Sequence, residues 1–490
     1  MTGSPQPVCV VGAGTMGRGI AQIALAAGHP VTLVDQQPAQ LTAAREEIVR
    51  RLSRAGDKAV DSVRARLRDA RSVHGCDPVP GTLVIEAVVE RLQVKHQVLG
   101  QALEHFGDGS ILATNTSSLS VTEIAAGVAR ADRVVGMHFF NPVPVMRLVE
   151  VVSGLQTGPE VAAEVAALAR AWGKEVALVR SAPGFVVNRV ARAFYGEALR
   201  LVEEGVASPE CVDEVARGAG GFRMGPFELM DLIGVEVNHT VTRTVWEAFN
   251  FDPRFAPSLL QAELVAAGRF GRKAGRGFYD YAEGARRPVP APRTTDGPGL
   301  TGAVLVGHDA QLEALVRRAA LPVRHEDGDS PALQTDAGKV VVTRGLTAAQ
   351  EAAHRGVPVV VLDRWLDLKA ASCTAMAGTD DALLDRATAT LGAAGVRAFQ
   401  VADAPGLVLG RVLPLIANEA WEAARYGVAS PEDIDRAMRL GTNYPSGPFD
   451  WGRQWGEARL LELLDNVWSE YRDPRYRAGA GLRARVRASG

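Results

Sequence analysis

The sequence predicts an α/β chain of several domains. The order is a doubly wound nucleotide-binding domain carrying an inserted helix pair, an all-α domain, a small degenerate α/β segment and a second copy of the α domain. Three observations carry this. A glycine loop joins a short apolar strand to a helix near the N-terminus, a helical pattern runs on from Phe185, and that pattern recurs near the C-terminus at one constant offset. The boundaries follow as 1–182, 183–282, a linker at 283–300, 301–403 and 404–490.

Val8 to Val11 is an apolar run of strand character, and Gly12-Ala13-Gly14-Thr15-Met16-Gly17 follows at once. Ile20, Ile23, Ala24 and Ala27 read as a helix that ends at Gly28, and Val31 to Val34 is a second strand closed by Asp35. This is the Rossmann dinucleotide fingerprint in its required context. Gly12 permits the tight turn, Gly14 lets backbone approach a pyrophosphate, and Gly17 lets helix pack on strand. Asp35 would accept hydrogen bonds from the ribose hydroxyls and repel a 2′-phosphate. Gln36 and Gln37 offer no arginine to hold one, so the expected cofactor is NAD.

From Pro38 to about Ser72 the chain reads as helical, with a turn at Gly56-Asp57, which is more than a single crossover needs. Its bases read mainly as a solvated charged face. The sharper reading is that some of Arg50, Arg51, Arg54 and Lys58 meet a phosphorylated substrate handle. Leu83 to Ile85 and Ile111 to Ala113 are further strands. The second runs into Asn115-Thr116-Ser117-Ser118-Leu119, where Ser117 and Ser118 are either site groups at a strand end or helix N-caps.

A histidine then ends an apolar strand in Gly136-Met137-His138-Phe139-Phe140-Asn141-Pro142-Val143-Pro144. The prolines exclude helix. Glu150 lies inside the next apolar run, so a chain reversal could return it to His138. A carboxylate on one imidazole nitrogen fixes the tautomer and leaves the other as acceptor, which is how a general base near neutral pH is made. The alternative is a satisfied core histidine and a solvated glutamate. After a helix over 159–172 and a strand over 175–179, Ala182-Pro183-Gly184 reads as a hinge. Asn188 then sits one turn into a helix, either as a buried amide serving backbone or as a site residue.

Beyond the linker, Ala303–Val306, Lys339–Val342 and Pro358–Leu362 read as strands with no glycine fingerprint after any of them, so no second dinucleotide site is expected. The repeat follows. Ala182-Pro183-Gly184-Phe185-Val186-Val187-Asn188-Arg189 matches Ala404-Pro405-Gly406-Leu407-Val408-Leu409-Gly410-Arg411, and Gly225-Pro226-Phe227-Glu228 matches Gly447-Pro448-Phe449-Asp450. Asn188 becomes Gly410, which suggests a chemical role for Asn188 in the first copy. The second copy would serve packing and cover a face through which the first would otherwise meet a partner chain.

A formal charge of −2 argues against a nucleic-acid partner. No apolar run approaches the length of a membrane span, and no signal-like segment precedes the first strand. Cys9, Cys76, Cys211 and Cys373 are scattered, without a C-x-x-C pair, so neither a disulfide frame nor a metal site is expected and a reducing cytoplasm is.

Together with Gly-Pro-Phe-Glu-Leu-Met-Asp at 225–231 and Gly-Arg-Lys-Ala-Gly-Arg-Gly-Phe-Tyr at 271–279, these motifs resemble the 3-hydroxyacyl-CoA dehydrogenase family over residues 8–281. The repeated C-terminal unit is similar to the longer bacterial members, including 3-hydroxyadipyl-CoA dehydrogenases of phenylacetate breakdown and some 3-hydroxybutyryl-CoA dehydrogenases. The resemblance implies NAD-dependent oxidation of an (S)-3-hydroxyacyl-CoA, a fatty-acid β-oxidation type of step. It implies His138 as base, Glu150 as its orienting carboxylate, and Ser117 and Asn188 as partners of the substrate's 3-oxygen. For the cofactor it implies Gly12, Gly14, Thr15, Met16, Gly17, Asp35, Glu90, Lys95, Asn115 and Lys273. It places coenzyme A on the inserted helix pair, near Arg51, Arg54 and Lys58, where the family's serine-and-lysine pattern is blurred. A homodimer is compatible with it. The rival readings are a non-catalytic, crystallin-like NAD-binding relative and a dehydrogenase of a free hydroxy acid such as gulonate.

Overall fold

The computed structural model describes residues 5–54 and 60–489. Its contacts divide the chain into two compact units, residues 1–189 with 426–442, and residues 190–425 with 443–490.

The first unit is built on an eight-stranded sheet in the order β3-β2-β1-β4-β5-β6-β7-β8. The strands are β1 (Val8–Val11), β2 (Val31–Val34), β3 (Leu67–Ala70), β4 (Leu83–Glu86), β5 (Ile111–Thr114), β6 (Val134–Phe139), β7 (Leu148–Ser153) and β8 (Glu175–Arg180). All neighbours are parallel except β6 and β7. The central strands β1, β4 and β5 are buried at every position, as strands covered on both faces must be. The helices are α1 (Thr15–Ala26), α2 (Pro38–Arg54), α3 (Val60–Arg66), α4 (Leu92–Phe106), α5 (Val121–Ala126), α6 (Pro159–Ala171) and the short α7 (Val187–Val190). The doubly wound fold is thus the one expected. One stretch differs: Leu67 to Ala70 was expected to be helical and is the edge strand β3. Only its two end residues are buried, so it carries no alternating apolar signal. The turn expected at Gly56-Asp57 lies outside the described residues.

The second unit holds the helices α8 (Arg192–Glu203), α9 (Pro209–Gly218), α10 (Pro226–Ile233), α11 (Val235–Ala248) and α12 (Leu259–Ala266), which is the all-α pattern expected. A seven-stranded sheet follows in the order β10-β9-β11-β12-β13-β14-β15. Its strands are β9 (Ala303–Val306), β10 (Val323–Glu326), β11 (Ala332–Thr335), β12 (Gly338–Val342), β13 (Val359–Leu362), β14 (Cys373–Gly378) and β15 (Arg397–Gln400), with α13 (Ala310–Arg318), α14 (Ala348–Arg355) and α15 (Asp381–Ala393) between them. The segment expected as a free linker is fastened down. Arg293 donates to Asp385 at 3.1 Å and Arg287 to Asp213 at 3.0 Å.

The two sheets correspond strand for strand. Parallel β10-β9 repeats β2-β1, parallel β12-β13 repeats β5-β6, antiparallel β13-β14 repeats β6-β7 and parallel β14-β15 repeats β7-β8. In the place of β4, β11 runs antiparallel to both neighbours, and the edge strand β3 has no counterpart.

The repeated helices α16 (Leu409–Arg425), α17 (Pro431–Thr442), α18 (Pro448–Trp455), α19 (Glu457–Tyr471) and α20 (Ala480–Ser489) complete the chain. They exchange with the first copy. In the first unit, α17 packs on β7 and β8, and the Arg180 N–H donates to the Val428 carbonyl at 2.7 Å. In the second unit the equivalent helix α9 packs on β14, and the Ala402 N–H donates to the Val206 carbonyl at 3.0 Å. These are the same bond made twice with the copies reversed, the signature of an isologous contact. Within the second unit α8 packs on α16. Arg411 donates to Glu197 at 2.6 Å and to Glu204 at 2.8 Å, while Arg254 donates to Glu419, the repeat equivalent of Glu197, at 2.8 Å. The side chains of Arg411 and Glu197 are fully buried. Arg411→Ala would leave the Glu197 charge buried and unpaired, and should lower stability by about 3 kcal/mol or more. Urea melts read this directly, and a loss under about 1 kcal/mol would mean that the pair is wet.

Candidate active site

The β6-β7 reversal sets His138 opposite Glu150 in register. His138 Nδ1 lies 2.7 Å from Glu150 Oε2, so the imidazole Nδ1–H donates to the carboxylate and Nε2 is left as acceptor. Glu150 is wholly buried and His138 is 5 % exposed. The other carboxylate oxygen, Oε1, accepts the N–H groups of Val186 and Val187, each at 3.0 Å. One side chain thus holds the histidine and closes the start of α7. The turn that brings those amides round needs Gly184 at φ +71 and Phe185 at φ 49. The rings of Phe140 and Phe185 flank the imidazole at 4.5 and 5.7 Å between centroids.

Asn188 is half-buried in the first turn of α7 and follows Val187, whose N–H Glu150 accepts. The contrast with Gly410 has its own cause. In the second copy a Cβ at 410 would lie 2.8 Å from Thr343 Cγ2, so glycine is required there for packing. The difference between the copies therefore does not by itself argue for chemistry at Asn188; its position in α7 does.

The loop after β5 is organised by Glu90. Glu90 Oε1 accepts from Thr116 Oγ1 at 2.5 Å, from the Ser117 N–H at 3.0 Å, and from the Ser118 N–H and hydroxyl at 3.1 and 2.8 Å. Burial opposes ionisation of Glu90, but the Lys95 charge and the hydrogen bonds of Thr116, Lys95 and Ser118 outweigh it and hold the carboxyl at about 2. Lys95 is itself buried between Glu90 at 3.0 Å and Glu86 at 2.8 Å. Glu86, fully buried at the end of β4, also accepts from Thr114 Oγ1 at 2.7 Å and the Val88 N–H at 2.8 Å. Sequence reasoning passed over Glu86; the signal was an acid closing an otherwise apolar strand. Neither Ser117 nor Ser118 caps a helix. The cap of α5 is Ser120, which accepts from the Glu123 N–H at 3.3 Å. The Ser117 hydroxyl makes no hydrogen bond among the described residues, and Asn115 Oδ1 accepts the Phe139 N–H at 2.9 Å.

At the glycine loop, a Cβ on Gly17 would lie 1.7 Å from the Gly12 carbonyl oxygen, and one on Gly12 2.5 Å from that of Ala87. Both positions demand glycine. A Cβ on Gly14 would meet nothing within 4 Å, and Gly14 as N-cap of α1 brings no side-chain acceptor to the first-turn amides. An open cradle of free N–H groups at a helix start fits a pyrophosphate. Thr15 and Met16 open that first turn. Asp35 Oδ2 accepts the Ala13 N–H at 2.9 Å and Oδ1 the Gln37 N–H at 2.9 Å, which fixes its carboxylate beside the loop.

Arg51 is ion-paired with Glu47 on its own helix, Lys58 lies outside the described residues, and the side chain of Arg54 lies outside them too. The coenzyme A contacts thus gain no support from geometry. Lys273 belongs to the second unit and is ion-paired with Glu236.

The repeat register shows what the second copy has lost. Asp363, whose N–H donates to the Ala375 carbonyl just beyond the β13-β14 pairs, takes the place of His138, and Ala375 that of Glu150. Thr347, the N-cap of α14, answers to Ser120, which sets Arg344 at the position of Ser117. All four expected catalytic residues are replaced. The counterpart of Gly14 is Asp309, whose carboxylate accepts the Gln311 and Leu312 N–H groups of α13 and so closes the amide cradle.

If Asp35 holds the ribose hydroxyls, Asp35→Ala with Gln36→Arg should raise the NADP-to-NAD ratio of kcat/KM by at least about tenfold, the size of one lost or gained charged hydrogen bond. An unmoved ratio would place the ribose elsewhere.

Residues 7–182 match the model of the 3-hydroxyacyl-CoA dehydrogenase NAD binding domain, and residues 184–281 and 406–489 both match the C-terminal domain of that family. Residues 340–405 match the 3-hydroxybutyryl-CoA dehydrogenase reduced Rossmann-fold domain. The chain is 42 % identical over 487 residues to 3-hydroxyadipyl-CoA dehydrogenase of Escherichia coli K12, covering 98 % of this chain and 97 % of that one. It is 40 % identical over 289 residues to the human mitochondrial hydroxyacyl-coenzyme A dehydrogenase, covering 56 % of this chain and 90 % of that one. The crystal structure of 3-hydroxybutyryl-CoA dehydrogenase from Escherichia coli K12 superposes with a TM-score of 0.89 at 39 % identity, covering 99 % of both chains. With family models matched along most of its length and the oriented histidine and the open glycine loop in one doubly wound unit, the chain belongs to the 3-hydroxyacyl-CoA dehydrogenase family.

Proposed function

We propose that this chain oxidises the hydroxyl at C3 of an (S)-3-hydroxyacyl-CoA to the 3-oxoacyl-CoA, with NAD as hydride acceptor. The observation that carries the reading is the buried His138–Glu150 hydrogen bond at 2.7 Å, in the unit that also bears the open glycine loop. NAD, when bound, supplies the two-electron chemistry; Gly12, Gly14 and Gly17 would admit it, with Thr15, Met16, Asp35, Glu90, Lys95 and Asn115 as further candidate contacts in the first unit and Lys273 a candidate on sequence grounds alone. The protein's own part is proton handling. His138 Nε2 accepts the hydroxyl proton, and Glu150 stabilises the imidazolium that results. Ser117 and Asn188 donate to or orient the 3-oxygen as its charge changes. Arg51, Arg54 and Lys58 remain candidates for the coenzyme A phosphates on sequence grounds alone.

Full-length similarity to a 3-hydroxyadipyl-CoA dehydrogenase and to a 3-hydroxybutyryl-CoA dehydrogenase supports a short acyl chain, with the dicarboxylic C6 thioester of phenylacetate catabolism as first candidate. A cytoplasmic enzyme is the matching setting; no helix among the described residues is long and apolar enough to cross a membrane. The reciprocal α8-α16 contact lies inside one chain, so a homodimer would have to use another face.

His138→Gln should cut turnover of acetoacetyl-CoA and 3-oxoadipyl-CoA by about two to four orders of magnitude while NADH affinity changes little. Near-normal turnover in the variant would remove His138 from the chemistry. A flat NADH trace from the unmodified chain with every 3-oxoacyl-CoA would favour a non-catalytic NAD-binding protein, and turnover of free gulonate a hydroxy-acid dehydrogenase.

A further inference from the structure

The second unit contains a cavity of about 820 Å³ that the dehydrogenase chemistry does not use. It opens at the carboxyl ends of β9 and β13, between His308–Gln311 and Arg364–Ser372, and is closed from the helical side by the end of α9, by Ser446 and by Trp455 and Arg459. In strand order this is the second copy's version of the nucleotide crevice. Asp309, by capping α13, excludes a pyrophosphate from it. The crevice has instead acquired cations. By register Arg364 stands where the first copy has Phe139, and Trp365 where it has Phe140.

Arg364 is the central group. Its side chain is 7 % exposed, and Nε donates to the Thr343 carbonyl at 3.0 Å. Nη2 is buried with no hydrogen-bond partner among the described residues. Its nearest carboxylate is Asp309 Oδ2 at 3.7 Å, which stands at the same 3.7 Å from Arg459 Nη1, and Asp309 Oδ1 is already committed to backbone. Burial pushes Arg364 down to about 10, which still leaves it charged at neutral pH. Two more polar atoms of the lining, Trp365 Nε1 and Ser446 Oγ, are buried without partners. Lys369 is exposed at the rim and makes no ion pair among the described residues. Asp367 Oδ1 accepts the N–H groups of Lys369 and Ala370, and no ion pair joins its carboxylate to the Lys369 ammonium among the described residues.

Asp309 is thus shared by two guanidinium groups, Glu462 stands 4.0 Å from Arg459 Nε, and among the described residues the buried Arg364 Nη2 and Trp365 Nε1 have no acceptor. Native interiors seldom leave such donors orphaned, and a ligand that supplies acceptors recovers the desolvation cost. The cavity is also large enough for an organic body, with Trp455 among the residues that line it. We propose that this vestigial crevice is a second ligand site, taking an organic oxyanion whose carboxylate or phosphate head is held by Arg364, with Lys369 at the entrance. The proposal does not depend on the reaction assigned to the first unit.

Calorimetric titration of the full chain, saturated with NADH, with adipate as the carboxylate probe and inorganic phosphate as the tetrahedral one, distinguishes the two heads. At least one should bind with Kd below about 1 mM. Lys369→Glu, on an exposed side chain, should weaken it about tenfold, and Arg364→Met should abolish it, as expected when a charge-assisted partner is lost. In Lys369→Glu, NADH affinity and turnover should be unchanged. If Arg364→Met fails to fold, Ser446→Ala takes its place and should weaken binding at least about threefold, as for one neutral hydrogen bond. Binding of neither probe up to 10 mM, or binding indifferent to Lys369→Glu, would overturn the proposal.

Discussion

A carboxylate with no access to water must have its charge answered by hydrogen-bond donors, and Glu150 is such a group. Its two oxygens are divided between holding an imidazole and holding backbone. One accepts from His138, and the other accepts two backbone amides at the start of α7. Strand register, helix start and imidazole tautomer are thereby fixed by one side chain. A change that frees Glu150 would loosen all three, so the orientation of His138 is as rigid as the core around it. That rigidity is what a proton acceptor needs if it is to meet a substrate hydroxyl without reorganising.

The second copy separates the two tasks. There Asp363 accepts the N–H groups of Val408, Leu409 and Gly410 at 3.2, 2.7 and 3.0 Å, at the start of α16. The acid has moved to the strand where the first copy has its histidine, and the strand that carried the glutamate has alanine. Closing the helix has been kept and orienting an imidazole has not. The helix start would be left with orphan amides in either copy without an acid, whereas a base is dispensable where no reaction runs.

Much of this was legible in the sequence, and for local reasons. The glycine loop, Asp35 and the strand ends are short-range signals, and the His138–Glu150 pairing follows from a proline-marked reversal between two apolar runs. The repeat was legible because the helical copies align without a gap. The strand correspondence of the two sheets was not, because β3, β10 and β11 are short strands with polar residues among them, and β11 runs opposite to the strand it replaces. The acid that closes β4 marked Glu86, but its partners Lys95 and Thr114 reach it only in three dimensions. Asn188 was singled out on a contrast that the packing at Gly410 accounts for, since sequence comparison of two copies cannot tell a lost function from a filled space.

The exchange of helices explains why a sheet stripped of its chemistry persists. A helix with one apolar face must bury it against something. In the second unit α9 meets β14, and the Val206 carbonyl finds its donor at Ala402. The changes in the second sheet include the absent edge strand, the capped glycine-loop counterpart and Ala375 on β14 itself, yet the backbone pairing there is retained. The strands that receive α9 keep the pairing directions of the original sheet. Selection on such a chain would act on β14 and β15 through the stability of α8 and α9 and not through catalysis. At the carboxyl ends of β9 and β13 the second sheet carries Arg364 and Trp365 where the first, by register, carries Phe139 and Phe140.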